Sequence, residues 1–159
     1  MNSPLGQLFV AVSQQGLCAV EFGKTESEFL ARLRRQATPA KTDNATAKAL
    51  AQLREYFSGR RHSFNLALDL SSLTPFQREV LAVTSRIPWG EVWSYRRVAE
   101  EMGRPKSSRP VGQALGRNPI PIVIPCHRVI ASDGGPGGYS GGTGLASKRW
   151  LLRHEGALS

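Results

Sequence analysis

Three prolines within seven residues, Pro119, Pro121 and Pro125, constrain this chain more than any other feature. Each lacks a backbone N–H and pushes the residue before it out of the helical region, so the run NPIPIVIPCHRVI cannot be a helix and is expected to be extended. It delivers Cys126 to a fixed place, with an ionisable base and a permanent cation, His127 and Arg128, directly after it. Core filler would more often have apolar neighbours, so the setting points to thiol chemistry. A buried, inert cysteine is the alternative.

Cysteine chemistry runs through the thiolate, a few per cent of a free thiol at neutral pH. A histidine oriented by a carboxylate can remove the proton, and a nearby cation or helix N-terminus can lower the thiol pKa. The last helix, expected from about Leu145 to Glu155 with Trp150, Leu151 and Leu152 inward and Gly156 as its cap, places Glu155 at the negative end of the helix dipole. A carboxylate there is disfavoured by about 0.3–1 kcal/mol, which invites a partner, and His127 is the attractive one. A solvated glutamate is the other reading. Neighbouring side chains on an extended strand face opposite ways, so contact between Cys126 and His127 requires a turn or a bridging water.

At 159 residues and 40% hydrophobic, the chain can bury an ordinary core as one domain or two small ones. The net charge is +9, and twelve of its 21 Lys and Arg but only six of its 12 Asp and Glu lie beyond residue 70. An excess gathered there points to a polyanion, nucleic acid being the commonest, or else to a solvated basic surface. Two cysteines 108 positions apart make no disulfide framework and no C-x-x-C pair, which fits a reducing compartment. The start, MNSPLGQLFVAVSQQG, has no basic region and only five consecutive apolar residues, so neither a signal peptide nor a membrane span is expected, and the cytoplasm is the expected location.

Residues 1–70 read as a small α/β domain. GQLFVAV, a turn at Gln14-Gln15-Gly16 and LCAVEF form a hairpin with Leu17, Ala19 and Glu21 opposite Cys18, Val20 and Phe22, and Cys18 is expected inside it. A helix from Thr25 to Gln36 should bury Phe29, Leu30 and Leu33. Another, from Asp43 to Ser58, should bury Ala47, Leu50, Leu53 and Phe57 and be capped by Gly59. SFNLALDL alternates Phe64, Leu66, Leu68 and Leu70 with polar or small residues, as a half-buried strand does.

After a short linker, Leu70-Ser71-Ser72-Leu73, residues 71–159 read as a mainly α-helical domain. Thr74-Pro75-Phe76-Gln77 is a capping box, and the helix it opens carries Phe76, Val80 and Val83 inward until Ile87-Pro88-Trp89-Gly90 stops it. Ser94 can cap a helix through Met102 with Val98, Ala99 and Met102 inward and Gly103 beyond its end. A third helix, Ser107 to Gly116, tolerates Pro110 only in its first turn. The last two suggest a helix-turn-helix of winged-helix-like type with Arg109 near the head of the second helix. That helix offers Pro110, Val111, Gly112, Ala114, Leu115 and Gly116, little for hydrogen bonding to base edges, which suits the minor groove or else simple packing against its neighbour. SDGGPGGYSGG then holds six glycines in eleven residues around Tyr139 and Ser140, a pocket wall or a loose connector.

At these residues the chain resembles a family. IPCHRVI, GGYSGG, KRWLLRHEG, SSRPVGQALGRNP and FQREVLAVTSRIPWGEVWSY resemble the O6-alkylguanine-DNA alkyltransferases, and SPLGQLFVAV with LREYFSG is similar to that family's N-terminal domain. The resemblance implies direct-reversal repair of double-stranded DNA carrying O6-alkylguanine, with O4-alkylthymine a further candidate. Cys126 would take the alkyl group irreversibly, once per molecule, because a thioether is not readily cleaved by water. His127 would act through a water, Glu155 would orient it, and Tyr95 would help turn the nucleotide out and protonate guanine N3.

Arg109 would enter the base stack, within a DNA-contacting set that includes Ser94, Gly112, Ala114 and Arg117. The substrate pocket would comprise Asn118, Pro121, Val129, Tyr139 and Ser140, with Asn118 bracing the recognition helix and the Val129 carbonyl accepting from the guanine amine. No cofactor, metal or obligate protein partner is implied. A base inside the stack cannot react, so it must be flipped out at a cost of a few kcal/mol, which agrees with a basic, small-faced helix.

The sequence departs from the family pattern in three places. Pro110 follows Arg109 where alanine is usual, the segment TGLASKR after Gly142 is longer by about two residues, and residues 1–70 hold one cysteine and one histidine, Cys18 and His62, too few for the zinc site of some members. Three rivals compete: a lesion-binding protein of alkyltransferase-like type, whose acceptor position is usually tryptophan; a plain helix-turn-helix regulator; and a cysteine hydrolase. Alkyl transfer to Cys126 separates them.

Overall fold

A hairpin opens the chain. Strands β2 (Gly6–Ser13) and β3 (Gly16–Phe22) pair antiparallel, and the two-residue β1 (Asn2–Ser3) adds along β2 to complete a three-stranded sheet. The coordinates are those of a computed structural model, which describes residues 1–34, 44–135, 137–139 and 141–159. The register steps from Ala11↔Ala19 to Val12↔Leu17, leaving Cys18 as an extra residue in a bulge. That bulge overturns the expected alternation: Leu17, Val20 and Phe22 are all buried, while Cys18 is only half-buried, with its sulfur 3.4 Å from the Ala11 carbonyl.

Helix α1 (Glu26–Arg34) starts on a reciprocal Thr25–Glu28 cap and buries Phe29, while Leu30 and Leu33 are half-buried; the expected end at Gln36 lies outside the described residues. Helix α2 (Asn44–Phe57) is rotated relative to expectation. Ala49, Gln52, Leu53 and Tyr56 face inward, Ala47 is exposed, and Leu50 and Phe57 are half-buried. Two polar side chains set that rotation: Gln52 clamps the Asn65 backbone at both its N–H and its carbonyl, and Tyr56 finds a partner in the distant Glu155. Gly59 takes φ +76° just past the helix, as expected of its cap. The segment expected as a strand near residues 63–70 is extended but makes a single parallel bridge, Leu17 with Leu68, while Phe64, Leu66 and Leu68 pack on the core as half-buried residues.

Helix α3 (Pro75–Thr84) opens on the expected Thr74–Gln77 capping box and buries Val80, Leu81 and Thr84, with Phe76 and Val83 half-buried. Ser94 caps α4 (Tyr95–Glu101), which buries Val98 and Ala99; α5 (Ser108–Leu115) follows across a short turn containing Gly103, and both pack on α3. This is the helix-turn-helix, with Pro110 in the first turn of α5. The proline-rich segment departs from a plain extended strand. It turns at Ile122, whose φ of +74° is unusual for a β-branched residue, and ends in one turn of 3-10 helix, Cys126–Arg128. Strand β5 (Val129–Ile130) then pairs parallel with β4 (Trp93–Ser94), tying the acceptor segment to the start of α4. Helix α6 (Leu145–His154) buries Leu151 and Leu152, leaves Trp150 half-buried, and ends at Glu155 and Gly156, the latter at φ +74°. The fold is thus a small sheet with helices followed by a mainly helical part, sharing one apolar cluster from Leu8 and Phe22 through Tyr56 to Val98, Ile120 and Leu151. Among the described residues no helix is long and apolar enough to cross a membrane.

Candidate active site

Cys126 is the first residue of its 3-10 turn; its N–H donates to the Ile124 carbonyl at 2.8 Å, and the backbone N–H groups of Cys126 and His127 lie near enough to the sulfur to favour its anion. Burial pushes the thiol pKa up, and the Asn118 amide, the Lys148 ammonium and those two backbone groups pull against it. Asn118 lies just beyond α5. Its Oδ1 accepts from Ile120 N–H and its Nδ2 donates to the Ile124 carbonyl, both at 3.0 Å, so one side chain ties the recognition helix to the acceptor segment.

Behind the sulfur, Glu155 collects four hydrogen bonds from buried donors. His127 Nε2 lies 2.8 Å from Oε1, Arg128 Nη2 2.9 Å and the Tyr56 hydroxyl 2.7 Å from the same oxygen, while Arg128 Nε holds Oε2 at 2.8 Å. Burial would raise the Glu155 pKa, but the His127 and Arg128 donors outweigh it and bring it to about 2. An ionised carboxylate only accepts, so His127 carries its proton on Nε2 and leaves Nδ1 as a lone pair. Among the described residues that buried Nδ1 has no partner. Burial holds the His127 pKa below its usual value despite Glu155, so the ring is neutral at neutral pH.

Lys148 was not foreseen from sequence. The side chain is fully buried, its Nζ donating to the carbonyls of Val129 at 2.6 Å and Gly138 at 3.3 Å, and burial lowers its pKa to about 8 with Cys126 acting in the opposite sense. The Val129 carbonyl, expected to meet a guanine amine, therefore already serves Lys148. Arg128 and Tyr56 were missed as well. A lysine or arginine in sequence is usually a surface residue, and only the apolar neighbours of Lys148 on α6 gave any hint.

In front of the sulfur opens a cleft of about 740 Å³, within the range of small-molecule pockets, bordered by Tyr95, Arg109, Gly112, Gln113, Cys126 and Tyr139. The Tyr95 ring lies against Gly112 and Gly137. Gly137 has φ +66°, and a Cβ there would collide with the ring and hydroxyl, so the glycine loop supplies both a backbone shape and a close approach. A second cavity of about 210 Å³ lies toward β3; Cys126, Tyr139 and Gly116 border both spaces, and Pro121 faces the smaller one. The Tyr139 hydroxyl is buried without a partner among the described residues.

The expected residues divide accordingly. Cys126, His127 and Glu155 come together, and Tyr95, Arg109, Gly112 and Tyr139 share the cleft with Cys126. Three expected DNA contacts lie off the cleft. Ala114 is buried with Val111 and Leu115 because it falls on the packing face of α5; Ser94 spends its hydroxyl on the Arg97 N–H; and Arg117 lines a separate groove beside Pro110 and Gln77. Ser140 lies outside the described residues. Among the described residues no group of three or more His, Cys, Asp or Glu is placed to hold a metal ion.

Fold and site together define a class: a protein in which a helix-turn-helix roofs a buried cysteine backed by a His–Glu pair. Residues 1–70 match the ribonuclease-like domain, and residues 75–157 the DNA-binding domain, of 6-O-methylguanine DNA methyltransferase. The chain belongs to the 6-O-methylguanine DNA methyltransferase family. It is 40% identical over 161 residues to the methylated-DNA–protein-cysteine methyltransferase of Shigella flexneri, covering 98% of this chain and 93% of that one. The constitutive methylated-DNA–protein-cysteine methyltransferase of Bacillus subtilis is 40% identical over 154 residues, covering 97% and 92%. A crystal structure of Mycobacterium tuberculosis OGT in complex with DNA superimposes with a TM-score of 0.84 at 38% identity, covering 99% of this chain and 91% of that one.

Proposed function

We propose that this protein repairs DNA by direct reversal, moving the alkyl group of O6-alkylguanine in a duplex onto Cys126 as a methylated-DNA–protein-cysteine methyltransferase. The observation that carries the reading is a single buried thiol at the floor of an open cleft, in front of a neutral histidine whose other nitrogen is held by an ionised carboxylate. Residues 1–70 and 71–159 act as an N-terminal domain and a DNA-binding, acceptor domain. The reaction takes place in the cytoplasm.

The basic helix-turn-helix approaches the minor groove, and the damaged nucleotide turns out of the stack into the cleft. Arg109, exposed at the head of α5, fills the vacancy; Tyr139 walls the pocket, and Ser140, next to it in sequence, contacts the base. The thiol proton passes through a water to His127 Nδ1, and Glu155 stabilises the imidazolium. The Cys126 sulfur then forms a bond to the alkyl carbon as the bond from that carbon to O6 breaks, its electron pair going to the purine. Tyr95 donates a proton to guanine N3 and recovers one from the relay, so one proton moves in total from thiol to purine. Lys148 favours the thiolate while it lasts. The product is a thioether and, once solvent has moved the proton from N3 to N1, unmodified guanine, and the molecule does not turn over.

Mass spectrometry after incubation with a duplex containing O6-methylguanine tests this. One methyl gain on the Cys126 peptide with equimolar loss of the lesion is expected. Absence of an adduct means a binder or regulator, and turnover past one equivalent means a hydrolase.

A further inference from the structure

The Glu155 carboxylate is completed from outside the acceptor half of the chain. Tyr56, on α2, is fully buried, 99 positions away in sequence, and its hydroxyl donates to Glu155 Oε1 at 2.7 Å. Three donors converge on that one oxygen: Tyr56, His127 Nε2 and Arg128 Nη2. Nothing in packing demands the hydroxyl. Phenylalanine fills nearly the same space, and the Tyr56 ring is already held by Phe57, Phe64, Trp89 and His154 at centroid distances of 5.3 to 5.6 Å. Its backbone is fixed too, since His154 Nε2 lies 2.8 Å from the Tyr56 carbonyl.

We propose that Tyr56 is a positioning residue for alkyl transfer: by sharing Glu155 Oε1 with His127 it sets how strongly the carboxylate polarises the histidine, so the N-terminal half tunes the base. The inference rests on the reading of Cys126 as acceptor. Charge that Oε1 gives to the Tyr56 hydroxyl is not available to an imidazolium at Nε2. The hydroxyl therefore keeps His127 neutral to lower pH. Other groups facing His127 are Arg128 and Lys148, both cations that discourage its protonation; Cys126 precedes it in the chain, and Tyr139 is close enough to feel Cys126 and Glu155. All four remain when only the Tyr56 hydroxyl is removed. Burial beside an anion keeps that hydroxyl protonated, its pKa well above the usual value, so it stays a donor throughout the working range.

The test compares the full-length protein with Tyr56→Phe and with Phe64→Leu, which loosens the packing around the same ring without touching Glu155. Two quantities are read: the pH dependence of the single-turnover rate on an O6-methylguanine duplex, and the titration of His127 by NMR of its ring, resolved from His62 and His154. Tyr56→Phe should raise the midpoint of the acid limb and of His127 protonation by roughly half a unit, which is a loss of about threefold in rate on the acid side. Phe64→Leu should lower the unfolding temperature and leave both midpoints in place. If Tyr56→Phe leaves both midpoints unmoved, or Phe64→Leu moves them equally, Tyr56 is packing alone and the inference is wrong. Failure of the unaltered protein to take a methyl group would sink the repair reading instead, and the His127 titration would still decide the role of Tyr56.

Discussion

Arg128 grips Glu155 at two points, Nε on Oε2 at 2.8 Å and Nη2 on Oε1 at 2.9 Å, and spends Nη1 on the Ile87 carbonyl at 2.6 Å. Neither side chain meets much solvent, at 6% and 0% exposure. Arg128→Met leaves a buried carboxylate without its bidentate, permanently charged partner, so a loss of about 3–5 kcal/mol is expected in urea unfolding. Arg96→Ala, which breaks the exposed Arg96–Glu100 pair on α4, should change stability by no more than about 0.5 kcal/mol.

Acid should unfold the protein partly through this same cluster. The folded Glu155 pKa, about 2, is depressed below its ordinary 4.5, so its contribution is complete above pH 4.5 and disappears as pH falls toward 2. It amounts to about 3 kcal/mol on the full shift. His127, buried neutral, adds in the same direction, because its unfolded form takes up a proton below 6.5 and the folded form resists. Stability measured from pH 7 to pH 2 should therefore fall in two stages, and Glu155→Gln should remove the lower one.

Lys148→Met keeps an unbranched side chain one atom shorter and removes the cation that favours the Cys126 thiolate. The thiol pKa should rise by about one unit and the single-turnover rate at pH 7 should drop about tenfold. In the unaltered protein, Lys148 itself loses its charge as pH passes about 8, so the gain in rate with alkalinity should flatten there. The variant should show no such break.

Arg109 is exposed on the rim of the cleft and has no stake in the core. Arg109→Ala should slow methyl removal from a duplex about a hundredfold, as expected when about 2–3 kcal/mol of support for the extruded base is lost. Binding to undamaged duplex should weaken only by the loss of one phosphate-range cation, with the slope of log affinity against log salt reduced by about one. Equal losses in both assays would argue against a role in the stack.

What the sequence disclosed was local. Thr74–Gln77, Ser94 and Gly59 marked helix ends because a cap is decided by residues within three or four positions of each other. The pairing of His127 with Glu155 was legible because a carboxylate at a helix C-terminus is out of place unless something answers it. The rotation of α2 was not. Tyr56 and Phe57 are adjacent aromatics, and the choice between them rests on Glu155, 99 positions away. Cys18 is only half-buried because one bulge reverses a strand's faces, and Ala114 went into the core because small residues suit a packing face as well as a groove. The turn at Cys126 was hidden by its own prolines, which forbid an α-helix but not a single 3-10 turn.

Cys126 and Tyr139 form part of a thin partition with open volume on either hand, about 740 Å³ toward the helix-turn-helix and about 210 Å³ toward the sheet. A carbon newly attached to that sulfur need not wedge apart a close-packed interior. The seam between the two halves of the chain thus opens directly beside that sulfur, bordered by Val20 and Phe22 of the sheet as well as by Asn118 and Pro121.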